Sequence, residues 1–241
     1  VAQGYIQFNG DGNAATSFGY NNVEKMRMNS GGNFGINTNS PTAKLDVNGS
    51  LKLNAGNHAT GVGTFAIGNH AGANYTASTD YSVAVGNEAA RYNTADNNVG
   101  IGSHALRGVS GSSTGGTNIA IGTNAGRAIT SGSASVLAGF LAGHVITTGI
   151  GNVILGGSSA PALVNGNNNV CIGNSVATAL SSGSLNVFLG VNAGDSTTTG
   201  SSNTIIGVGA NASSATVSNE ITLGNASISA LRCQVTSITA L

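Results

Sequence analysis

Five residues beyond four successive glycines, Gly86, Gly102, Gly122 and Gly139, the chain carries Arg91, Arg107, Arg127 and His144. The placement matters because Lys and Arg together number only 8 in 241 residues. If those glycines mark equivalent points of a stacked repeat, three guanidiniums and an imidazole stand one above another, about 4.8 Å apart. Like charges at that spacing repel, so something must offset them. Carbonyl oxygens at the turns, or Glu88 and Asp96 of the same or a neighbouring chain, would make the column a clamp between coils. Anionic sugar or phosphate groups on another surface would make it a binding site, because a guanidinium grips both kinds of oxyanion through paired donors. Tyr75, Tyr81 and Tyr92 fall in the same stretch. They are a second candidate site, either rings that stack on sugars or packing where the repeat begins.

Other chemistry is thin. Of His58, His70, His104 and His144, only His70 and His104 share a repeat position, two residues after the glycine. In a symmetric trimer such residues could converge as three imidazoles on the axis; the alternative is an exposed or backbone-bonded ring, and no second ligand type accompanies them. No phosphate-binding loop with its Lys and Ser/Thr occurs. The acids, Asp11, Glu24, Asp46, Asp80, Glu88, Asp96, Asp195 and Glu220, form no paired-carboxylate or Ser-His-Asp pattern. The expectation is a protein that is not an enzyme and needs no cofactor or metal. A formal net charge of zero and the lack of a polybasic run argue against a general nucleic-acid or anionic-membrane binder. The longest strongly apolar stretch, around Val136 to Ala142, is far below the roughly 20 residues of a membrane span. Cys171 and Cys233 lie at unrelated points of the pattern, and Cys171 reads as a small hydrophobe. Because residue 1 is Val, a processed or excised piece is expected.

These residues must be positioned by the repeat itself. Glycines at 68, 86, 102, 122, 139, 156, 173, 190, 207 and 224 each close a short apolar run, and the last six intervals are all 17 residues. Asn152-Val153-Ile154-Leu155-Gly156, Asn169-Val170-Cys171-Ile172-Gly173 and Asn186-Val187-Phe188-Leu189-Gly190 show the pattern. A period of this length predicts a solenoid whose coils bury their apolar residues only by stacking. Alternation along a strand separates the first and third apolar positions from the middle one. With the first and third pointing into the coil, the middle column faces outward: Ala66, Ala84, Gly100, Ala120, Leu137, Ile154, Cys171, Phe188, Ile205 and Thr222. An oily outer column is rare on a soluble monomer. Leu137, Ile154, Cys171, Phe188 and Ile205 are therefore expected to form an interface covered by another chain.

A second series of glycines, Gly132, Gly149, Gly166, Gly183 and Gly200, marks a second corner, read as a turn at positive φ. Between the corners, Ala128-Ile129, Val145-Ile146, Ala162-Leu163 and Ala179-Leu180 predict a second short strand. Gly at 38 residues, charged residues at 7% and aromatics at 5% leave no ordinary globular core, so small side chains and backbone ladders must hold the fold. The register of Val and Ile over ten units argues against disorder. Residues 1 to about 53 alternate apolar and polar and read as a short β-rich segment; 54 to about 229 are the solenoid. The tail from 230 to 241 carries apolar residues at three- and four-residue spacing, as in a stem.

The stretch Met26-Arg27-Met28-Asn29-Ser30-Gly31-Gly32-Asn33-Phe34-Gly35-Ile36, followed by Pro41-Thr42-Ala43-Lys44-Leu45-Asp46-Val47-Asn48-Gly49, resembles a segment common in bacteriophage tail fibre proteins. The Asn-Val-Ala-Ile-Gly-type repeat is similar to those fibres and to the heads of trimeric autotransporter adhesins. Asn219-Glu220-Ile221-Thr222-Leu223-Gly224-Asn225, Leu231-Arg232-Cys233-Gln234-Val235 and Thr239-Ala240-Leu241 resemble the segment that leads into an intramolecular chaperone autoprotease. In that family a Ser-Asp pair would follow, with the Ser acting in self-cleavage. The resemblance implies an all-β homotrimer, a parallel β-roll of about ten coils. It also implies a place in a virion tail fibre beside other fibre proteins, contacting a host receptor such as a surface glycan or outer-membrane component. The expected alternatives are a passive rod and a bacterial adhesin head on the cell surface. A glycan depolymerase is disfavoured by the scarcity of acids.

Overall fold

Val and Ile dominate the short apolar runs, and β-branched side chains suit the pleated surface of a strand. A computed structural model of the chain describes residues 4–8, 15–21, 23–48, 63–75, 79 and 81–230. Among the described residues it contains fifteen strands and no helix. The chain divides into two units, Val1–Asn54 and Ala55–Leu241.

In the first unit β1 (Gly4–Phe8), β2 (Thr16–Tyr20), β3 (Val23–Met28) and β4 (Phe34–Ile36) pair antiparallel in chain order, and β5 (Leu45–Val47) runs parallel to β4. The turn into β4 is held by Asn29, whose Oδ1 accepts from the backbone N–H of Gly31 at 3.0 Å and of Asn33 at 2.9 Å. Phe18, Tyr20, Val23, Met28 and Leu45 stay exposed. This sheet is one layer with almost no interior.

The second unit stacks ten parallel strands in sequence order: β6 (Phe65–Ile67), β7 (Val83–Val85), β8 (Val99–Ile101), β9 (Ile119–Ile121), β10 (Val136–Ala138), β11 (Val153–Leu155), β12 (Val170–Ile172), β13 (Val187–Leu189), β14 (Thr204–Ile206) and β15 (Ile221–Leu223). Equivalent residues lie in register, Val153 on Val170 on Val187 and Ile154 on Cys171 on Phe188. The fold is a parallel β-solenoid of about nine turns. From β9 onward, successive strands begin 17 residues apart.

The inward and outward columns are the reverse of the expectation. Leu137, Ile154, Cys171, Phe188 and Ile205 are fully buried inside the single chain and so cannot form a subunit interface. The reason lies one residue before each strand. Asn152, Asn169, Asn186 and Asn203 are fully buried too, and alternation puts every second residue after them, the middle strand position, on the same inner side. The Asn is drawn inward by its amide. Asn169 Oδ1 accepts from the backbone N–H of Asn186 at 3.1 Å, one coil on, while its Nδ2 donates to the Gly183 carbonyl at 2.9 Å. Asn118, Asn152, Asn186 and Asn203 repeat the closure to a carbonyl fourteen residues along. One side chain thus links neighbouring coils and closes its own coil, satisfying backbone groups that would otherwise be stranded in the interior. Ser82 and Ser135 carry the ladder with a hydroxyl. Glu220 is its last rung, with its carboxylate turned to Ser213 and Thr222.

The outward faces are then the first and third strand positions. Ile67, Ile101, Ile121, Val187, Leu189, Ile206, Ile221 and Leu223 are exposed apolar residues of these columns. Both sides of the ladder are oily, as expected, with the roles of the sides exchanged.

Two further differences concern the corners. The anchor glycines do need their freedom: Gly122 sits at φ 126° and Gly139 at φ 137°, where L side chains are strained. Gly132 and Gly149 show no such φ; a Cβ on Gly149 would instead stand 2.6 Å from the carbonyl oxygen of Gly166 in the next coil. Close stacking, not handedness, selects glycine there. The expected second strand does not form. Ile129, Ile146, Leu163 and Leu180 are core residues just past the turns, and beside them runs a single series of coil-to-coil bonds, one per coil, such as Thr147 N–H to the Val164 carbonyl at 2.9 Å and Val164 N–H to the Ser181 carbonyl at 2.9 Å.

Candidate functional site

The charged residues of the solenoid gather in the coils of β7 to β9. Glu88 lies two residues after Gly86, in a left-handed conformation at φ 51°, and His104 takes the same place one coil on at φ 59°. The backbone register brings the neighbours into line: Ala90 N–H bonds the Ala105 carbonyl at 2.9 Å and Tyr92 N–H the Arg107 carbonyl at 2.8 Å. Arg91 and Arg107 therefore stack.

Glu88 answers both. Arg91 Nη1 donates to its Oε1 at 2.6 Å, and Arg107 Nε lies 2.8 Å from Oε2, in ion-pair contact without the alignment of a hydrogen bond. His104 Nε2 is 3.6 Å from the same Oε2. Tyr92 lies beneath both cations, its ring centroid 4.9 Å from Arg91 Cζ and 5.4 Å from Arg107 Cζ, a cation–π arrangement. Desolvation pushes the Glu88 carboxyl up, but the charges of Arg91 and Arg107, the Arg91 hydrogen bond and the charge of His104 outweigh it and hold the group below the ordinary carboxylate range.

The column of four therefore does not act as one. Arg91 and Arg107 meet on Glu88. Arg127 is exposed and has no ion-pair partner among the described residues. His144 Nδ1 lies 3.2 Å from the Leu141 carbonyl and must donate to it, which ties the ring to its own turn. Asp96, the other expected partner, makes no ion pair with the column; its carbonyl accepts from Thr117 N–H at 3.1 Å.

The tyrosines separate as well. Tyr75 is only 5% exposed and belongs to the core, so it is corrected from candidate contact to packing residue. Its place explains this: seven residues after Gly68, it heads the column that continues with Ile129, Ile146, Leu163 and Leu180, each seven after its own glycine. Burial raises its phenol well above the ordinary value. Tyr81 is 62% exposed, and Tyr92 supports the arginines.

Sequence reasoning missed the buried polar network beside this cluster. Asn93 takes the Ile129 position of its coil, and its Oδ1 accepts from Ala95 N–H at 2.9 Å and from Asn98 Nδ2 at 3.2 Å. Its bridge to Ser113 shows how a longer coil is accommodated. Ser113 Oγ accepts from Val109 N–H at 2.7 Å and donates to the Ile129 carbonyl at 3.1 Å, closing residues 109–112 into a loop outside the coil. The signal was the interval of 20 between Gly102 and Gly122.

In the first unit an open cleft of ≈ 460 Å³ is lined by Val23, Glu24, Asn37, Thr38, Asn39 and Asn48. Arg27 of the same unit is committed, through Nε and Nη2 to Glu24 and through Nη1 to the Asn39 carbonyl. Among the described residues no cluster of His, Cys, Asp and Glu could hold a metal ion, and no helix is long and apolar enough to cross a membrane. His58, Cys233 and the expected stem from 231 onward lie outside the described residues. No protein-family model, no curated protein and no solved structure matches the chain.

Proposed function

We propose that this chain is a segment of a homotrimeric, extracellular fibre that attaches to a bacterial surface, of the kind found in bacteriophage tail fibres. Its receptor is a surface glycan or outer-membrane component, and its neighbours in the virion are other fibre proteins. One observation carries the reading: the outer columns of the ten-stranded sheet form an apolar stripe, interrupted in one column at Thr204, roughly 43 Å long at about 4.8 Å per strand. Soluble monomers rarely expose such a surface. Whatever covers it must match a repeat of about 4.8 Å through ten rungs, and a second copy of the same solenoid has that repeat by construction. The resemblance of the 26–49 and 219–241 segments to tail fibres favours three copies. Low charge and shared burial suit slow unfolding outside cells.

Attachment without hydrolysis fits the acids: between Asp96 and Asp195 there is no Asp or Glu, so most of the solenoid offers no facing carboxylates to a glycosidic bond. A passive rod is the second reading, favoured by residues 128–194, which carry no Asp, Glu, Lys or Arg at all. Fluorescently labelled protein incubated with a panel of bacterial strains separates the two. Saturable binding to at least one strain, displaced by unlabelled protein, is the attachment result; no binding to any strain leaves the rod.

A further inference from the structure

We infer that Arg107 and Arg127 form a binding site for a single oxyanion, the carboxylate or phosphate group of an acidic surface polysaccharide. The inference rests on the attachment reading and names the chemistry of its receptor.

Three observations converge. First, the two arginines are adjacent rungs: Gly108 N–H bonds the Arg127 carbonyl at 3.0 Å, which sets the two residues one strand spacing apart. Cations carried on adjacent rungs repel unless an anion offsets them. Second, among the described residues no carboxylate pairs with Arg127. Both oxygens of Glu88 are already engaged, Oε1 by Arg91 and Oε2 by Arg107, and the next carboxylate along the chain after Asp96 is Asp195. Between Arg107 and Asp195, Arg127 is the only formally charged side chain. Third, donors remain unspent. Arg107 commits only Nε to Glu88, while Tyr92 fixes its plane from below; Arg127 is exposed and commits nothing among the described residues. Two planar forks of N–H donors, one held rigid and one free to close, match the geometry of a carboxylate or phosphate. In a trimer the site would occur three times, so a polymer carrying repeated anions gains from avidity.

The roles within the cluster follow. Glu88, Arg91 and Tyr92 position Arg107; Arg107 and Arg127 bind. A chain of zero net charge has little background attraction for polyanions, which makes the site measurable. The probes are polygalacturonate for the carboxylate, poly(glycerol phosphate) for the phosphate and dextran as the neutral polymer, read by biosensor at low and moderate salt. The intact protein is expected to bind one or both acidic polymers and not dextran; which of the two binds identifies the oxyanion. Arg127→Ala should weaken binding about tenfold and reduce its salt dependence. Arg127→Lys should recover part of the affinity, and Lys25→Ala, an exposed cation in the first unit, should change nothing. Equal losses from Lys25→Ala and Arg127→Ala mean diffuse electrostatics and overturn the proposal. So does an Arg127→Ala protein that melts earlier while binding as before, since Arg127 would then be a clamp between subunits. If the labelled protein binds cells but neither acidic polymer, this inference fails and attachment stands. If the acidic polymers bind through Arg127 while no strain is bound, attachment fails and the site stands.

Discussion

The coils of β6 to β9 and those of β10 to β15 share one backbone plan and fill it differently. In the earlier coils the middle strand residues are Ala66, Ala84, Gly100 and Ala120, and the intervals between anchor glycines are 18, 16 and 20. In the later ones they are Leu137, Ile154, Cys171, Phe188, Ile205 and Thr222 at a constant 17. The early interior is made up with Tyr75, Leu106 and the buried amides of Asn93 and Asn98, and its surface carries Glu88, Arg91, Arg107 and Tyr92. The later coils have bulky apolar fill and a nearly chargeless exterior. A regular coil can be held by packing, whereas a coil whose length varies must satisfy extra backbone and does so with polar side chains. Those side chains, and the loops that come with them, are where recognition chemistry can be carried.

The sharpest test of that contrast is the core column. Phe188→Ala removes a fully buried ring that packs on Gly194 and should lower unfolding free energy by about 3–5 kcal/mol. Ala84→Gly, the matching truncation in an early coil, should cost about 1 kcal/mol. Denaturant melts of the two variants read the difference, and similar losses would break the comparison. Next is the amide ladder common to both regions. Asn169→Ala strands the Asn186 N–H and the Gly183 carbonyl, each worth about 1–3 kcal/mol when left unpaired in the interior. Asn169→Asp keeps the acceptor but buries a charge, and should be no better.

Acid should separate the regions more gently. The Glu88 carboxyl is held below its ordinary value in the folded protein, so its contribution is complete above that value and is lost as pH falls through the depressed one. Amide protons around 83–107 should therefore lose protection between neutral pH and pH about 3, after correction for intrinsic exchange, while those around 136–189 keep theirs. Glu88→Gln should abolish that difference. The smallest effect is expected from shortening the loop at 109–112 by three residues, which restores the regular interval. Closure entropy changes little over so few residues, so stability should move by less than about 1 kcal/mol.

Much of this architecture was legible in the residues. The glycine period gave the solenoid, its register and both corners, because a stacked coil repeats its constraints at fixed intervals. The direction of the strand faces was not legible, since Val153, Ile154 and Leu155 are all apolar and alternation then marks no wet side. The decisive residue is Asn152, which is buried as a rung. Residue type alone left Tyr75 between contact and packing; its position seven after Gly68, which matches Ile129, is the signal for packing. In the candidate site, the pairing of Glu88 with Arg91 was visible as a three-residue spacing. That Arg127 stands apart from it was not, because a shared position in the repeat says nothing of how many cations one carboxylate can reach.

The account turns on the outer stripe, where Leu189 is 42% exposed in the single chain, being covered by sister subunits. Light scattering on the native protein at micromolar concentration measures this directly. A mass about three times 23.5 kDa, falling toward 23.5 kDa when Ile121 and Leu189 are both replaced by Lys, is the expected result. A stable 23.5 kDa particle of the unaltered chain would contradict it.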